Sequence, residues 1–331
     1  MIKKLYTYLR HPQYFLLWLD IKGIVRLPDD LYLKIFYKKK IGKKLNLKNP
    51  QTFNEKMQWL KLNDRKEIYT TMVDKYDVKK YVANIIGEEY IIPTIGVYDN
   101  FDNINFDELP NKFVIKCTHD SGGVVVCKDK STFNIEIARK KINDCLKNNF
   151  YYLGREWPYK NVKPRIIIEK FLEDEKNEDL IDYKIMCFNG KAQCSFLCLN
   201  RRSKEGLNVD FYDLNWNKMP FERHYKQSNI VMEKPENYDL MIELAEKLAK
   251  NIPFVRVDFY DIKGKVYFGE LTFYPGSGME EFNPEEWDKK LGDLLVLWYG
   301  GVYENSHNIT RISTGGSRKS SSISIKLDCE K

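Results

Sequence analysis

The sequence is poor in cysteine and histidine, and it has no long apolar run. Its seven cysteines are scattered without a C-x-x-C pair, which argues against a zinc ribbon or a disulfide framework and favours reduced thiols in a cytoplasmic protein. The four histidines form no Ser-His-Asp or Cys-His pattern, so nothing indicates a covalent enzyme intermediate. The apolar run at residues 14–19 is far too short to span a bilayer and lacks the cleavage site of a signal peptide.

Charge is distributed unevenly along the chain. The 331 residues are 43% hydrophobic, which is typical of a globular protein large enough for two or three lobes, and their net charge is +7. Residues 1–48 contain 12 Lys or Arg against 3 Asp or Glu, which leaves +9, and the remaining residues therefore carry about −2. This basic leader suggests an anionic partner such as a membrane surface or a charged polymer. A merely solvated basic segment is the alternative.

A predicted hairpin within residues 253–282 carries the strongest indication of a site. Strand-like runs at 255–260 and 266–273 flank a turn at Lys263-Gly264. Strand alternation predicts two faces, one with Arg256, Asp258 and Tyr260 and one with Phe268, Glu270 and Thr272. One acid from each strand can then converge beside an arginine, which suits Mg²⁺ bound to phosphates. A surface hairpin with solvated charges is the alternative, but the rigid loop at 274–278 directly after the acid favours a site.

A second candidate site lies at residues 112–130. Two short predicted strands, 113–115 and 124–126, enclose the turn Ser121-Gly122-Gly123. Because this turn joins two strands, it is neither a Walker loop nor a dinucleotide-binding loop, both of which precede a helix. Its backbone N–H groups can still bind phosphate, and Lys116 adds a charge at the strand end. An ordinary β-turn is the alternative.

The rest of the pattern alternates helices and strands. The capping-box sequence at 52–55 predicts a helix start, and Gly87 is predicted to end a helix over residues 76–86. Further predicted elements are a helix at 134–149, a buried strand at 165–172, a hairpin at 183–199 around Asn189-Gly190, and a helix at 237–251. From residue 112 the predicted order is therefore hairpin, helix, strand, hairpin, helix, hairpin.

This order of elements, with three sequence phrases, resembles the TupA-like ATP-grasp family of polysaccharide biosynthesis. The phrases are LKNPQTFNEKMQWLK, DYKIMCFNGK and VRVDF…GELTFYPGSG, and the resemblance covers about residues 45–298. It implies an α+β ATP-grasp fold, in which two α+β lobes clamp ATP, preceded by a basic helical N-terminal extension. The implied divisions are the extension at 1–48, an N-terminal subdomain at 49–111, a glycine-hairpin subdomain at 112–172, a C-terminal subdomain with the Mg²⁺ site at 173–303, and a disordered tail at 304–331.

The resemblance also implies roles for individual residues. Lys116 is similar to a lysine of the family that contacts the ATP phosphates. Ser121, Gly122 and Gly123 resemble the loop that closes over these phosphates. The hinge that meets adenine is similar to Glu169, Lys170, Phe171 and Leu172. Asp258 and Glu270 resemble the Mg²⁺ ligands, while Lys184 and Arg256 are implied to act in catalysis on the transferred phosphate. Thr272 departs from the wider superfamily, which usually has Asn there, and would offer a hydroxyl to the metal.

The implied activity is carboxylate–amine ligation through an acyl phosphate, with ATP and Mg²⁺ as cofactors. The expected substrates are a uronic acid or an amino acid and an amine, in the synthesis of a capsule or another cell-surface polysaccharide. We expect a cytoplasmic enzyme with peripheral contact to an anionic membrane or to polysaccharide assembly enzymes, and no nucleic-acid partner. The alternatives are a glycosyltransferase and a non-catalytic nucleotide-binding module, and Mg²⁺-dependent ATP turnover separates both from the ligase.

Overall fold

The computed structural model describes residues 10–173, 180–201, 203, 206–299, 302–305 and 308–311. Residues 1–9 of the predicted extension, most of the acidic loop after Leu172, and residues 312–331 of the predicted tail lie outside the described residues. The chain divides into two compact units, residues 1–295 and 296–331.

Nine helices occur among the described residues, all in the first unit. They are α1 (Pro12–Ile21), α2 (Asp29–Ile41), α3 (Phe53–Asn63), α4 (Ile68–Val73), α5 (Asp77–Ile86), α6 (Ile135–Leu146), α7 (Tyr151–Gly154), α8 (Tyr238–Leu248) and α9 (Glu286–Asp293). The predicted helices at 76–86, 134–149 and 237–251 correspond to α5, α6 and α8, with ends that differ by at most three residues.

Two antiparallel sheets form the framework of the first unit. Its strands are β1 (Thr94–Tyr98), β2 (Phe113–Cys117), β3 (Val124–Cys127), β4 (Ile166–Lys170), β5 (Asp182–Phe188), β6 (Lys191–Leu199), β7 (Asn208–Tyr212), β8 (Glu222–Arg223), β9 (Phe254–Ile262), β10 (Lys265–Thr272) and β11 (Phe282–Asn283). The first sheet has the order β1-β4-β2-β3 and the second β10-β9-β5-β6-β7, while β8 and β11 form a separate pair. The predicted order from residue 112 is confirmed, and the structure adds α7, β7, β8, β11 and α9 to it, together with β1 before residue 112.

Local sequence explains where these elements begin and turn. Thr52 caps α3: its hydroxyl accepts from the Glu55 N–H at 3.2 Å, and the Glu55 carboxylate accepts from the Thr52 N–H, so the predicted capping box is present. Asn189 and Gly190 have φ of 49° and 83°, as a tight hairpin between β5 and β6 requires. Lys263 and Gly264, in the turn between β9 and β10, likewise have positive φ angles.

Each sheet packs its apolar face on a helix. Ala138 and Ile142 of α6 join Phe113, Ile115 and Ile166 in the core under the first sheet. Under the second sheet, α8 contributes the buried side chains of Tyr238, Met241, Leu244, Ala245 and Leu248. This packing follows the spacing of apolar residues on one helix face, which the sequence shows for both helices.

The N-terminal extension is helical, as predicted, and it is anchored to the body of the first unit. Leu17 of α1 packs with Tyr32 and Leu33 of α2 in a separate small core. Arg155, which follows α7, is 1% exposed and donates from Nη2 to Asp20 Oδ2 at 2.7 Å. A buried charge pair of this kind costs stability if one partner is removed, so it ties α1 firmly to α7.

The second unit differs from the prediction of a disordered tail from residue 304. Three strands, β12 (Trp298–Tyr299), β13 (Val302–Asn305) and β14 (Asn308–Arg311), pair in an antiparallel sheet. The β-branched and aromatic residues Val302, Tyr303, Ile309 and Thr310 favour strands, although Ser and Gly dominate the composition around them. The division at residue 111 also runs through one sheet, because β1 pairs with β4, and the predicted subdomains remain a prediction.

Six cysteines lie in the described part of the chain, and all six are free. Cys194 is buried and Cys198 half-buried on β6, as expected for structural rather than metal-binding thiols. No helix of the described residues is long and apolar enough to cross a membrane.

Candidate active site

The candidate site is built on the β9–β10 hairpin. Lys263 and Gly264 turn the chain with φ of 55° and 76°, so the strands pair directly from Ile262 and Lys265 onward. The register shifts by one residue at Gly269, which bulges out of the ladder. Beyond this bulge Glu270 lies opposite Asp258, and Thr272 lies opposite Arg256.

The bulge determines which side chains share a face. Asp258 and Glu270 are opposed and therefore lie on one face of the sheet, as predicted. Phe268, in contrast, is opposite Phe259, and their rings meet edge to face at 6.4 Å. The prediction that Phe268 shares the face of Glu270 and Thr272 is therefore wrong, because the extra residue at Gly269 reverses the alternation between them.

Four charged side chains form hydrogen-bonded ion pairs on the acidic face, which is the face of the sheet that carries Asp258 and Glu270. Arg256 donates from Nε to Asp258 Oδ1 at 2.6 Å and from Nη2 to Asp258 Oδ2 at 2.7 Å and Glu270 Oε1 at 2.6 Å. Lys184 of β5 donates from Nζ to Asp258 Oδ2 at 2.5 Å. The Thr272 hydroxyl donates to Glu270 Oε1 at 3.2 Å. The structure thus brings together both residues predicted to act in catalysis and all three predicted metal ligands.

Burial and charge oppose each other in this cluster. Burial disfavours ionisation of Glu270, but Arg256, Lys184 and Lys75 outweigh it and lower its pKa to about 2. Burial likewise disfavours the charged form of Lys184, but Asp258 outweighs it and raises the pKa of the lysine. Both groups are therefore ionised at neutral pH. The Glu270 side chain is 45% exposed, whereas Asp258 is enclosed by the two cations.

The donor set fits a hard divalent cation. Two carboxylates on neighbouring strands offer the oxygen ligands that Mg²⁺ prefers, and the partly exposed Glu270 is open to the cavity. A carboxylate oxygen has two lone pairs, so Asp258 Oδ1 keeps one after accepting from Arg256. Asp258 and Glu270 are therefore chemically suited to bind Mg²⁺, and Thr272 is held beside them.

A cavity of about 390 Å³ lies in front of this face and is lined from both sheets. Its charged lining consists of Lys75, Lys79, Lys116, Glu169, Asp182, Lys184, Arg201, Asp258 and Glu270. The other residues along its lining are Val78, Ile91, Ile92, Val124, Tyr260, Phe268 and Gly269. Clustered cations beside acids and apolar walls suit an anionic ligand with an apolar ring.

Lys116 and Glu169 meet on the wall that the first sheet provides. Lys116 Nζ is 2.6 Å from Glu169 Oε2, and Lys79 contacts the other carboxylate oxygen. Burial would raise the pKa of Glu169, but the two lysines lower it below its ordinary value. The other predicted hinge residues, Lys170, Phe171 and Leu172, follow directly at the end of β4 and do not line the cavity.

The glycine loop adopts a different geometry from the predicted tight turn. The connection between β2 and β3 spans residues 118–123, and neither Gly122 nor Gly123 has a positive φ. The Gly123 N–H already donates to the Asp120 carboxylate at 3.1 Å, whereas Ser121 and Gly122 are exposed. None of the three lines the cavity, so the structure does not bring this loop to the acidic face.

Two lysines of the cavity were missed by sequence reasoning. Lys75 precedes the predicted helix at 76–86, and its Nζ donates to the Asp120 carbonyl; burial lowers its pKa against the pull of Glu270. Lys79 lies on α5, and its Nζ contacts Glu169. Neither position carries a local sequence signal for the cavity.

The loop that follows β10 is clamped by a buried lysine that was also missed. Lys61 of α3 is 0% exposed and donates to the Ser277 carbonyl at 2.8 Å, its hydroxyl at 2.9 Å and the Gly154 carbonyl at 2.8 Å. Gln58 donates to the Gly278 carbonyl at 2.6 Å. Ser277 has φ of 57°, which is strained for a residue with a side chain, so these contacts hold a loop that would otherwise relax.

Comparison with protein families gives one match. The sequence profile of the TupA-like ATPgrasp family matches residues 55–296, well over half of the chain. The matched range includes the β9–β10 hairpin, the cavity and the Lys61 clamp. Comparison with curated proteins finds no match.

Solved structures give weaker similarities. The D-alanine–D-alanine ligase of Bacillus anthracis is 18% identical over 61% of this chain and 57% of its own, with a TM-score of 0.35. The corresponding ligase of Helicobacter pylori is 17% identical over 70% and 64%, with a TM-score of 0.36. The ATP-grasp ligase PsnB, complexed with a minimal precursor, is 7% identical over 62% and 54%, with a TM-score of 0.35. This chain therefore spans less than two thirds of each of these proteins.

Proposed function

Because the chain belongs to the TupA-like ATP-grasp family and has the α+β ATP-grasp fold, we propose that it is an ATP- and Mg²⁺-dependent carboxylate–amine ligase. The observation that carries this proposal is the cavity lined by Asp258, Glu270, Lys184, Lys75 and Lys116, with Arg256 bonded to both acids beside it. Phosphoryl transfer needs positioned cations and metal-binding acids rather than a protein nucleophile, and this site supplies both.

In the proposed reaction, a substrate carboxylate oxygen attacks the γ-phosphorus of ATP. The bond from the γ-phosphorus to the bridging oxygen breaks, ADP leaves, and the substrate becomes an acyl phosphate. An amine nitrogen then attacks the acyl carbon, the carbon–oxygen bond to phosphate breaks, and the nitrogen loses its proton to give an amide. No residue of the protein is bonded to the substrate in either step.

The residues have distinct tasks in this scheme. Asp258 and Glu270 would hold Mg²⁺, with Thr272 beside them, and the metal when bound would screen the phosphate charge. Lys184 and Arg256 would stabilise charge on the transferred phosphoryl group. Arg256 also holds the two acids together, because its planar guanidinium donates to both.

Nucleotide binding is assigned to the wall opposite the acids. Lys116 would contact phosphate, with Lys75 and Lys79 adding charge to the same side of the cavity. Glu169, Lys170, Phe171 and Leu172 would meet adenine, and the loop of Ser121, Gly122 and Gly123 would close over the phosphates from its exposed position. Phosphate must compete with Glu169 for Lys116, because the two form an ion pair.

We propose a uronic acid, or an amino acid to be joined to a sugar, as the carboxylate, and a capsule or another cell-surface polysaccharide as the product. The reaction would take place in the cytoplasm, where ATP is available. The resemblance to a family of polysaccharide biosynthesis supports this choice, and the lysines and Arg201 that line the cavity are suited to a substrate carboxylate.

The test is incubation of the protein with MgATP, candidate uronic or amino acids, and hydroxylamine. We expect a hydroxamate and ADP, because hydroxylamine traps an acyl phosphate. Formation of AMP and pyrophosphate would contradict the acyl-phosphate route. Sugar transfer without ATP consumption would indicate the glycosyltransferase, and nucleotide binding without turnover would indicate a binding module.

A further inference from the structure

The outward face of α1 exposes apolar side chains. Phe15 and Trp18 stack at 5.5 Å with an interplanar angle of 15° on this face. The α1 face is taken to include the turn after the helix, and its members, which are between 38% and 64% exposed, are Phe15, Leu16, Trp18, Ile21 and Ile24. Exposed apolar surface of this kind marks a site of contact with a protein or a membrane.

This exposure is not that of a loosely attached helix. The inward side of α1 is committed to the protein through Leu17 and Asp20, both of which are buried. Asp20 accepts from the buried Arg155 at 2.7 Å, and its other contacts reach Leu27 beyond the helix. The apolar outward side is therefore presented in one fixed orientation on a folded support.

Positive charge lies beside this face. Lys22 follows α1 directly, and the consecutive residues Lys38, Lys39 and Lys40 at the end of α2 are all exposed. Lys39 Nζ lies 5.5 Å from the ring centroid of Tyr14 on α1, which places the lysine run next to the helix. These exposed lysines therefore place positive charge next to the α1 face.

We propose that the α1 face docks on an anionic lipid bilayer. Phe15 and Trp18 would lie at the boundary between headgroups and acyl chains, where aromatic side chains are favoured, and the lysines would contact anionic headgroups. A ten-residue helix is about 15 Å long, so α1 lies on a bilayer rather than across it. A second copy is a poor occupant, because two strongly basic surfaces repel each other.

This docking surface is separate from the cavity, so the proposal stands without the proposed function. Its test is sedimentation of the full-length protein with vesicles of phosphatidylcholine alone or mixed with phosphatidylglycerol. We expect sedimentation with the mixed vesicles, loss of most binding at high salt, and little binding to neutral vesicles. No ATP is needed, so the result is independent of the hydroxamate assay.

Two variants assign the binding to this surface. The double variant Phe15→Ser and Trp18→Ser should lower partitioning into mixed vesicles by about tenfold or more. Lys38→Gln with Lys40→Gln should also weaken it, while keeping good helix formers at both positions. The matched control is Val231→Ser, which removes an apolar side chain that is 91% exposed, and it should bind as the original protein does.

Thermal unfolding and circular dichroism establish that each variant is folded. Failure of the original protein to sediment with mixed vesicles would overturn the proposal, as would equal binding of neutral vesicles. So would a Phe15/Trp18 double variant that binds like Val231→Ser. A dimer that is lost in the double variant, without vesicle binding, would identify a second copy as the occupant instead.

Discussion

Replacement of Lys61 by methionine tests whether a buried ammonium holds the loop beside the acids. Lys61 donates to the Ser277 hydroxyl at 2.9 Å, and the buried carboxyl of Glu156 lies near that hydroxyl. Gly154 packs against both, since a Cβ there would lie 2.4 Å from Ser277 Oγ and 3.3 Å from a Glu156 oxygen. Lys61 and Glu156 are therefore buried side chains of opposite charge that lie near each other inside the protein.

The expected cost of Lys61→Met follows from what it leaves behind. Methionine fills a similar volume but leaves Glu156 buried without its cation, which typically costs about 3–5 kcal/mol of unfolding free energy. It also leaves the Gly154 carbonyl without a donor, at about 1–3 kcal/mol if that buried group stays unsatisfied, whereas the Ser277 carbonyl still accepts from Gln58. Because these terms overlap, we expect a total loss of about 3–5 kcal/mol.

Urea unfolding of four proteins measures this cost: the original, Lys61→Met, Glu156→Gln and the double variant. The double variant should be more stable than Lys61→Met, because glutamine removes the unpaired charge. Lys147→Met is the control, since Lys147 has a side chain that is 75% exposed and should lose less than about 0.5 kcal/mol. A Lys61→Met variant as stable as this control would refute the reasoning.

Three further changes address the site. Glu270→Gln should stay folded, because its amide oxygen can still accept from Arg256, yet it should lose almost all turnover and Mg²⁺ dependence. The control is Glu286→Gln at an exposed position, and near-normal turnover of Glu270→Gln would contradict the assignment of Glu270 as a metal ligand. Gly122→Val should raise the KM for ATP without changing the melting temperature, since a Cβ there meets no atom within 4 Å; unchanged ATP kinetics would make the loop an ordinary connection. Lys116→Ala should weaken ATP binding by about ten- to hundredfold, equivalent to about 1.5–3 kcal/mol for a charge-assisted contact, and an unchanged KM would remove Lys116 from the phosphate site.

Features set by short-range patterns could be predicted from the sequence. The capping box at Thr52, the Asn189-Gly190 turn and the Lys263-Gly264 turn depend on neighbouring residues, and the structure confirms all of them. The order of hairpins and helices follows from apolar periodicity in the same way. Strand alternation also predicted that Asp258 and Glu270 converge beside Arg256.

Features that depend on distant parts of the chain could not be predicted. Lys61 reaches Ser277 across more than two hundred residues, so its burial has no local signature. Lys116 pairs with Glu169 only because β2 and β4 are neighbours in the sheet, a pairing that leaves no trace in either strand alone. Such contacts depend on topology, which a single sequence specifies only through the whole fold.

One residue, Gly269, determines whether Asp258 and Glu270 lie on the same face of the sheet. Counted strictly from the Lys263-Gly264 turn, Glu270 would lie opposite Val257 and would face away from Asp258, because side chains alternate along a strand. The bulge at Gly269 adds one residue and restores the pairing of Glu270 with Asp258. A side chain at 269 would meet the Asp258 carbonyl at 3.1 Å, so glycine fits there with least strain. A glycine directly before an acid in a strand is therefore better interpreted as the site of a bulge, which shifts the register, than as a weak strand position. In this protein the shift in register puts both carboxylates beside Arg256.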